Sequence, residues 1–226
     1  MSTVPNFDRL ARLYRWMEWF SFGPWLMRSR CGFVREMAGA RRALVLGDGD
    51  GRFTARLLKA NAAVQVEVID ASPAMLQALV KRSGQEAGRV RAEVADARAW
   101  RPQFKPAESA YDLVVTHFFL DCLTTEEVFA LATTLRKAVA PGARWVVSEF
   151  TVPEGRLGRL AARPLIWGLY CAFGWLTGLE VRRLPEYATA LQRAGFCLRE
   201  RSKWLGGVLV SELWIPCPTP SAPEPR

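Results

Sequence analysis

"ALVLGDGDGRFTARLL", residues 43–58, decides the fold. Ala43 to Leu46 form a short apolar run that reads as a buried strand. Glycines at 47, 49 and 51 follow, separated by Asp48 and Asp50, and "RFTARLL" resumes with helical spacing. A strand that dissolves into glycines and re-forms as a helix is the opening βα unit of a ligand-binding α/β domain. The two aspartates then restrict the ligand.

A phosphate-gripping loop of the G-x-x-x-x-G-K-[ST] type needs a Lys-Ser or Lys-Thr pair, and none follows here. A dinucleotide loop, G-x-G-x-x-G, has its third glycine where this chain has Arg52, and its pyrophosphate would face Asp48 and Asp50. S-adenosylmethionine carries no phosphate and presents an ammonium and a sulfonium beside its carboxylate. An acidic glycine loop matches that charge pattern.

Two more carboxylates follow in order. "VEVIDAS" ends a second strand on Asp70, about 20 residues past the glycines, where a carboxylate accepts from ribose hydroxyls. "AEVADAR" ends a third strand on Asp96, beside the expected position of an adenine amine. Strand-end aspartates also serve as turn formers and helix caps, so it is their sequence at βαβ spacing that points to a ligand.

Strands are expected at 43–47, 64–70, 90–95, 111–116 and 144–150, alternating with helices, which is the pattern of a largely parallel sheet. Ser72 is placed as N-cap with Pro73 at the first helical position, and Thr124 or Thr125 opens a helix that stops at Pro141-Gly142. A helix near 184–194 precedes two apolar runs joined by Leu205, Gly206 and Gly207, a turn short enough to make them antiparallel. The proline-rich tail from Pro216 is expected to be disordered.

With "VLGDGDG", "VIDASPAML", "VADA" and "YDLVVTHFFLDCL", the chain resembles the class I S-adenosylmethionine-dependent methyltransferases over residues 40–215. The resemblance implies a Rossmann-like α/β domain, with a mostly parallel seven-stranded sheet ending in an antiparallel pair. It implies cofactor contacts at Gly47, Asp48, Gly49, Gly51, Asp70, Ala71, Met75, Asp96, Ala97 and Thr116, and no metal. The family's acidic residue two positions before the first glycine is Val45 here, and Asp48 or Asp50 is the substitute expected to hold the methionine amine. The flanks are similar to the ubiquinone and menaquinone C-methyltransferases through "FDRLARLYRWMEWFSFGPWLMR", "VVSEF", "LPEYATALQRAGF" and "GGVLVSELW".

The end of the fourth strand, "VVTHFFLDC", faces the methyl group in that architecture and carries His117, the one histidine in the chain. Its unperturbed pKa near 6.5 suits a general base for a phenol or enol, and the alternative is packing or capping. Phe118 and Phe119 are a substrate wall or ordinary core. Asp121 is a helix cap or faces the pocket, and Glu149 lies at the pocket mouth or in a salt bridge.

Residues 7–37 hold a dense set of aromatics with six interspersed arginines, reading as amphipathic cover helices or as a surface for anionic membrane. Pro164 to Leu179 is nearly free of charge, but at about 16 residues it falls short of the roughly 20 that span a bilayer, so a lid or a buried helix is expected there. The division expected is a helical cover at 1–38, a catalytic domain at 39–215 with an aromatic insertion at 155–180, and a tail at 216–226. The acceptor expected is a small lipophilic or aromatic molecule. A phospholipid or amine N-methyltransferase and a non-catalytic cofactor-binding protein are the alternatives.

The net charge of +9 suggests an anionic partner, yet the [DNS]-P-P-[YFW] tetrad of amino methyltransferases is replaced by "THFF", which argues against nucleic acid. Five scattered cysteines without a C-x-x-C pair argue against zinc and against a disulfide framework. No secretory leader is visible. The expectation is a cytoplasmic protein, peripheral on the membrane if the cover segment binds lipid.

Overall fold

The computed structural model describes residues 23–102, 110–153 and 185–218. Most of the N-terminal cover, the whole aromatic stretch 159–180 and the last eight residues of the tail lie outside them.

The order of elements is α1 (Pro24–Arg30), β1 (Arg42–Leu46), α2 (Arg52–Ala60), β2 (Gln65–Asp70), α3 (Pro73–Ser83), β3 (Val90–Val94), β4 (Tyr111–His117), α4 (Thr125–Ala138), β5 (Val139–Phe150), α5 (Tyr187–Arg193), β6 (Phe196–Trp204) and β7 (Leu209–Pro216). The strands form one seven-stranded sheet in the order β3-β2-β1-β4-β5-β7-β6. Strands β1 to β5 pair in parallel, and β7 runs antiparallel between β5 and β6. This is the Rossmann-like methyltransferase sheet expected from the sequence.

Both faces are covered, so the central strands are apolar throughout rather than alternating. On one face Leu44, Leu46, Val114 and Val147 pack in a cluster with Val128, Leu131 and Leu135 of α4, Leu191 of α5, and the two fully buried tryptophans Trp145 and Trp214. On the other, Ala43, Val45, Val68 and Val115 cluster with Phe53 and Leu57 of α2, Leu76 and Leu79 of α3, and Phe33 and Met37. Val45, where the family carries an acid, is thus a core residue at 1% exposure.

Local signals set the helix starts. The Ser72 hydroxyl accepts from the Met75 amide, and Thr124 closes a capping box with Glu127. The helix after Thr124 ends at Ala138, three residues before Pro141, and β5 already begins at Val139. Pro141 and Gly142 lie in the irregularity where Tyr111 pairs with Val139 but Leu113 pairs with Arg144, so they mark a bulge and not the helix end. Among the described residues no helix is long and apolar enough to cross a membrane.

Two expectations are corrected at the C-terminal edge. Pro216 is the last residue of β7, paired with Phe196, so the tail begins later than expected. Cys217 is joined to Cys197 by a disulfide across 20 residues. The odd cysteine count concealed this pair because the β6–β7 hairpin register, not sequence spacing, brings the two together. Cys31 and Cys122 are free thiols. Closing a loop of this length stabilises by about 3 kcal/mol through the unfolded chain. Urea unfolding of the Cys197→Ser/Cys217→Ser protein in non-reducing buffer should show a loss of that size. Reductant should bring the wild type down to the variant, and identical curves without reductant would mean that the bridge does not form in solution.

Candidate functional site

Strand order reverses at β1, which has β2 on one side and β4 on the other, and such a switch point opens a crevice at the C-terminal strand ends. The glycine loop occupies it. Gly47 takes φ 68° and donates its amide to the Ile69 carbonyl at 3.0 Å. A Cβ there would lie 2.3 Å from the ring of Phe119, so only glycine lets the end of β4 close over the loop. At Gly51, φ 79°, a Cβ would meet the Leu79 backbone at 2.7 Å. Gly51 therefore performs the close packing that a dinucleotide loop assigns to its third glycine, one position earlier than that loop would place it. Gly49 differs, since among the described residues only Met75 Sδ, at 4.0 Å, comes near its Cβ position. Among the described residues that side of the loop is an open cradle bordered by Met75.

The loop acids already have structural partners. Asp48 Oδ2 accepts from the Thr54 amide at 2.8 Å, capping α2 because its N-cap, Gly51, has no side chain to do so. Burial raises the Asp48 pKa to about 6, against the lowering effects of Thr54 and the charge of Arg30. Asp50 Oδ2 accepts from Arg52 Nε at 3.2 Å and Arg82 Nη2 at 2.8 Å, tying the loop to the end of α3. The expectation that one of them substitutes for the missing acid at Val45 is not supported by this geometry.

Asp70 ends β2, and its Oδ1 accepts from the Ser72 amide at 2.9 Å, which turns the chain through Ala71 into α3. The Asp70 carbonyl accepts from Ala95, so Asp96 stands at the neighbouring strand end. Asp96 is gripped by Arg98, whose Nε lies 3.0 and 2.9 Å from its two oxygens and whose Nη2 lies 2.6 Å from Oδ2. The Arg98 hydrogen bonds hold the Asp96 carboxyl below its ordinary pKa. An adenine amine at Asp96 would have to share a carboxylate that Arg98 already occupies, a partner two residues away that the sequence reading missed. Ala97 is buried beneath this turn.

At the end of β4 the side chains divide between the two faces of the sheet. The Thr116 hydroxyl accepts from Trp145 Nε1 at 2.9 Å, so its side chain is committed to the core and not to a ligand. His117 faces the other way, its ring edge-on to Phe53 with centroids 4.5 Å apart. Among the described residues neither buried ring nitrogen has a hydrogen-bond partner, and burial followed by the charge of Arg30 holds the pKa well below the ordinary value. Phe118 adopts φ 53°, a strained left-handed conformation, and its ring lies 4.8 Å from that of Phe150.

Glu149, at the end of β5, accepts the amides of Phe119 and Leu120 through Oε1 at 3.1 and 2.8 Å. Its Oε2 is buried without a partner among the described residues, and burial and then the neighbouring Asp121 push its pKa well up. Asp121 is buried and accepts from the Cys122 thiol at 3.5 Å. The structure thus gathers Phe119, Asp121 and Glu149 as one group, and places His117 with Phe53 and Arg30 in another.

Residues 43–142 match the profile of a family described as a methyltransferase domain. Among solved structures, the mitomycin 7-O-methyltransferase MmcR aligns at 15% identity and TM-score 0.66, covering 93% of this chain and 60% of that one. The S-adenosylmethionine-dependent methyltransferase SibL aligns at 22% identity and TM-score 0.67, covering 96% and 64%. The N-methyltransferase NodS from Bradyrhizobium japonicum WM9, in complex with S-adenosyl-L-homocysteine, aligns at 15% identity and TM-score 0.59, covering 84% and 87%. The chain therefore spans somewhat under two thirds of the length of the first two. No curated protein matches the sequence. A glycine loop at the switch point, carboxylates closing β2 and β3, and a methyltransferase-domain profile over the same strands make residues 43–142 similar to a methyltransferase domain, on a chain with the Rossmann-like fold of the solved methyltransferases.

Proposed function

We propose that the protein transfers a methyl group to a small apolar or aromatic acceptor, a phenol or quinol before other classes. The observation that supports this is an apolar cluster at the C-terminal edge of β5 and β7. Leu26, Phe150 and Leu209 are buried in it, and Trp25, Phe118 and Trp204 pack partly buried against them. It adjoins the end of β4, where an acceptor has to lie to meet the glycine cradle.

Bound S-adenosylmethionine supplies an electron-poor methyl carbon on a sulfonium. The chain aligns the acceptor, excludes water and receives a proton when the acceptor is a phenol. Two buried groups flank the site for that proton. Protonation of His117 is opposed by burial and by Arg30, whereas the same desolvation makes the Glu149 carboxylate a stronger base. Glu149 also keeps one oxygen unpartnered while Oε1 is anchored by two amides. We therefore assign proton acceptance to Glu149 over His117.

A second reading has its own observation. Asp121 raises the cost of ionising Glu149, and a buried ammonium beside them would offset it, which favours an amine acceptor.

Asp70→Ala should weaken S-adenosylmethionine binding in titration calorimetry by roughly 1–3 kcal/mol, the worth of a hydrogen bond to a charged group. Unchanged affinity would remove Asp70 from the site. With labelled cofactor, methyl transfer should reach phenols or quinols and not RNA, and transfer to lipid amines alone would establish the second reading. The rate should rise with pH as Glu149 loses its proton, along a limb above the ordinary carboxylate range. Glu149→Gln should abolish that limb and lower the maximal rate roughly 10²–10⁴-fold, while His117→Ala leaves the limb in place. Loss of the limb in the histidine variant instead would reverse the assignment.

A further inference from the structure

The amino-acid end of the cofactor needs a charged partner, and the usual one is missing. Val45 is core, Asp48 caps α2, and Asp50 is paired with Arg52 and Arg82. A buried cation lies close by. Arg30, 7% exposed, ends α1 and sits with its guanidinium carbon 5.3 Å from the ring centroid of Phe118 at the end of β4.

Its position is fixed by the fold. Ser148 of β5 and Ser211 of β7 are register partners, and both hydroxyls donate to the Ser29 carbonyl, at 3.2 and 2.6 Å. Gly32 follows so closely that a Cβ there would lie 3.2 Å from Ser211. The last turn of α1 is thus pinned to the sheet one residue before Arg30, and a cation at a helix C-terminus is favoured by the helix dipole. The charge of Arg30 reaches both Asp48 on the glycine loop and His117 on β4, lowering the proton affinity of each. The guanidinium therefore lies beside the end of β4 and within electrostatic reach of the glycine loop.

We propose that Arg30 binds the carboxylate of the methionine moiety, so that this chain holds the amino-acid end of its cofactor through the negative group, from the N-terminal helix. The proposal rests on the methyltransferase reading above. It reverses the polarity expected from the acidic glycine loop, and it makes α1 part of the cofactor site as well as a cover.

The test is calorimetric titration of the full chain with S-adenosylmethionine and with its decarboxylated analogue, which keeps the sulfonium, the ammonium and the nucleoside. Wild type should bind the complete cofactor on the order of ten- to hundredfold more tightly, the scale of one charged hydrogen-bonded pair. Arg30→Met should lose that preference by weakening S-adenosylmethionine alone. Arg30→Lys, which keeps the charge without the planar fork, should retain part of it. Arg28→Met, an exposed neighbour stacked on Trp25, should change neither affinity. Equal weakening of both ligands in the Arg30 variants, or a preference that survives Arg30→Met, would overturn the proposal while leaving the methyltransferase reading intact. If Arg30→Met does not fold, equal affinity of wild type for the two ligands overturns it, and an intermediate preference in Arg30→Lys supports it. Wild type that binds neither ligand would overturn the methyltransferase reading and this inference with it.

Discussion

The contact between Gly47 and the ring of Phe119 is the constraint on which the site depends. With only 2.3 Å between the ring and the place a Cβ would occupy, the end of β4 closes over the loop after β1. That closure sets the left-handed turn at Phe118 and directs the Phe119 and Leu120 amides at Glu149. A larger residue at 47 would part the two strands where the fold opens its crevice. Gly51 makes the equivalent demand on the helical layer through Leu79. Between these two closed positions, Gly49 remains open toward Met75.

Charge at this edge is divided by the pleat. Successive residues of a strand point to opposite faces. His117 therefore joins Phe53 and Arg30, while Glu149, two residues beyond Val147 and four beyond Trp145, falls on the α4 side with Asp121. One side of the crevice holds a cation and an imidazole whose protonation burial opposes, and the other holds Glu149, whose proton affinity burial raises, beside Asp121. A cofactor carrying a carboxylate, an ammonium and a sulfonium suits a cleft polarised in this way better than a phosphate does.

The structural partners of the aspartates follow from a shortage of other capping groups. Gly51 cannot cap α2, so Asp48 does, and Asp50 braces the loop against Arg82. Asp96 is held by Arg98, which also lies 3.6 Å from Glu127, the residue that completes the cap of α4. Acids that looked like ligand contacts in the sequence thus stabilise the turns that shape the ligand's place.

By itself the sequence determined the sheet and its order of elements. Strands and helices are local patterns, apolar runs and caps such as Ser72 and Thr124, and a two-glycine turn forces β6 and β7 antiparallel. It also determined where the glycines and Asp70 stand, because strand-end positions follow from the βαβ spacing. Tertiary structure alone decided which way the side chains at those ends face and what they meet. No local signal places Arg30 beside Phe118 at the end of β4, since that depends on two serines 63 residues apart in sequence, Ser148 and Ser211, meeting one carbonyl in α1. Nor does cysteine spacing announce the bridge from Cys197 to Cys217. Partners remote in sequence are brought together only by strand register, and register is a property of the assembled sheet.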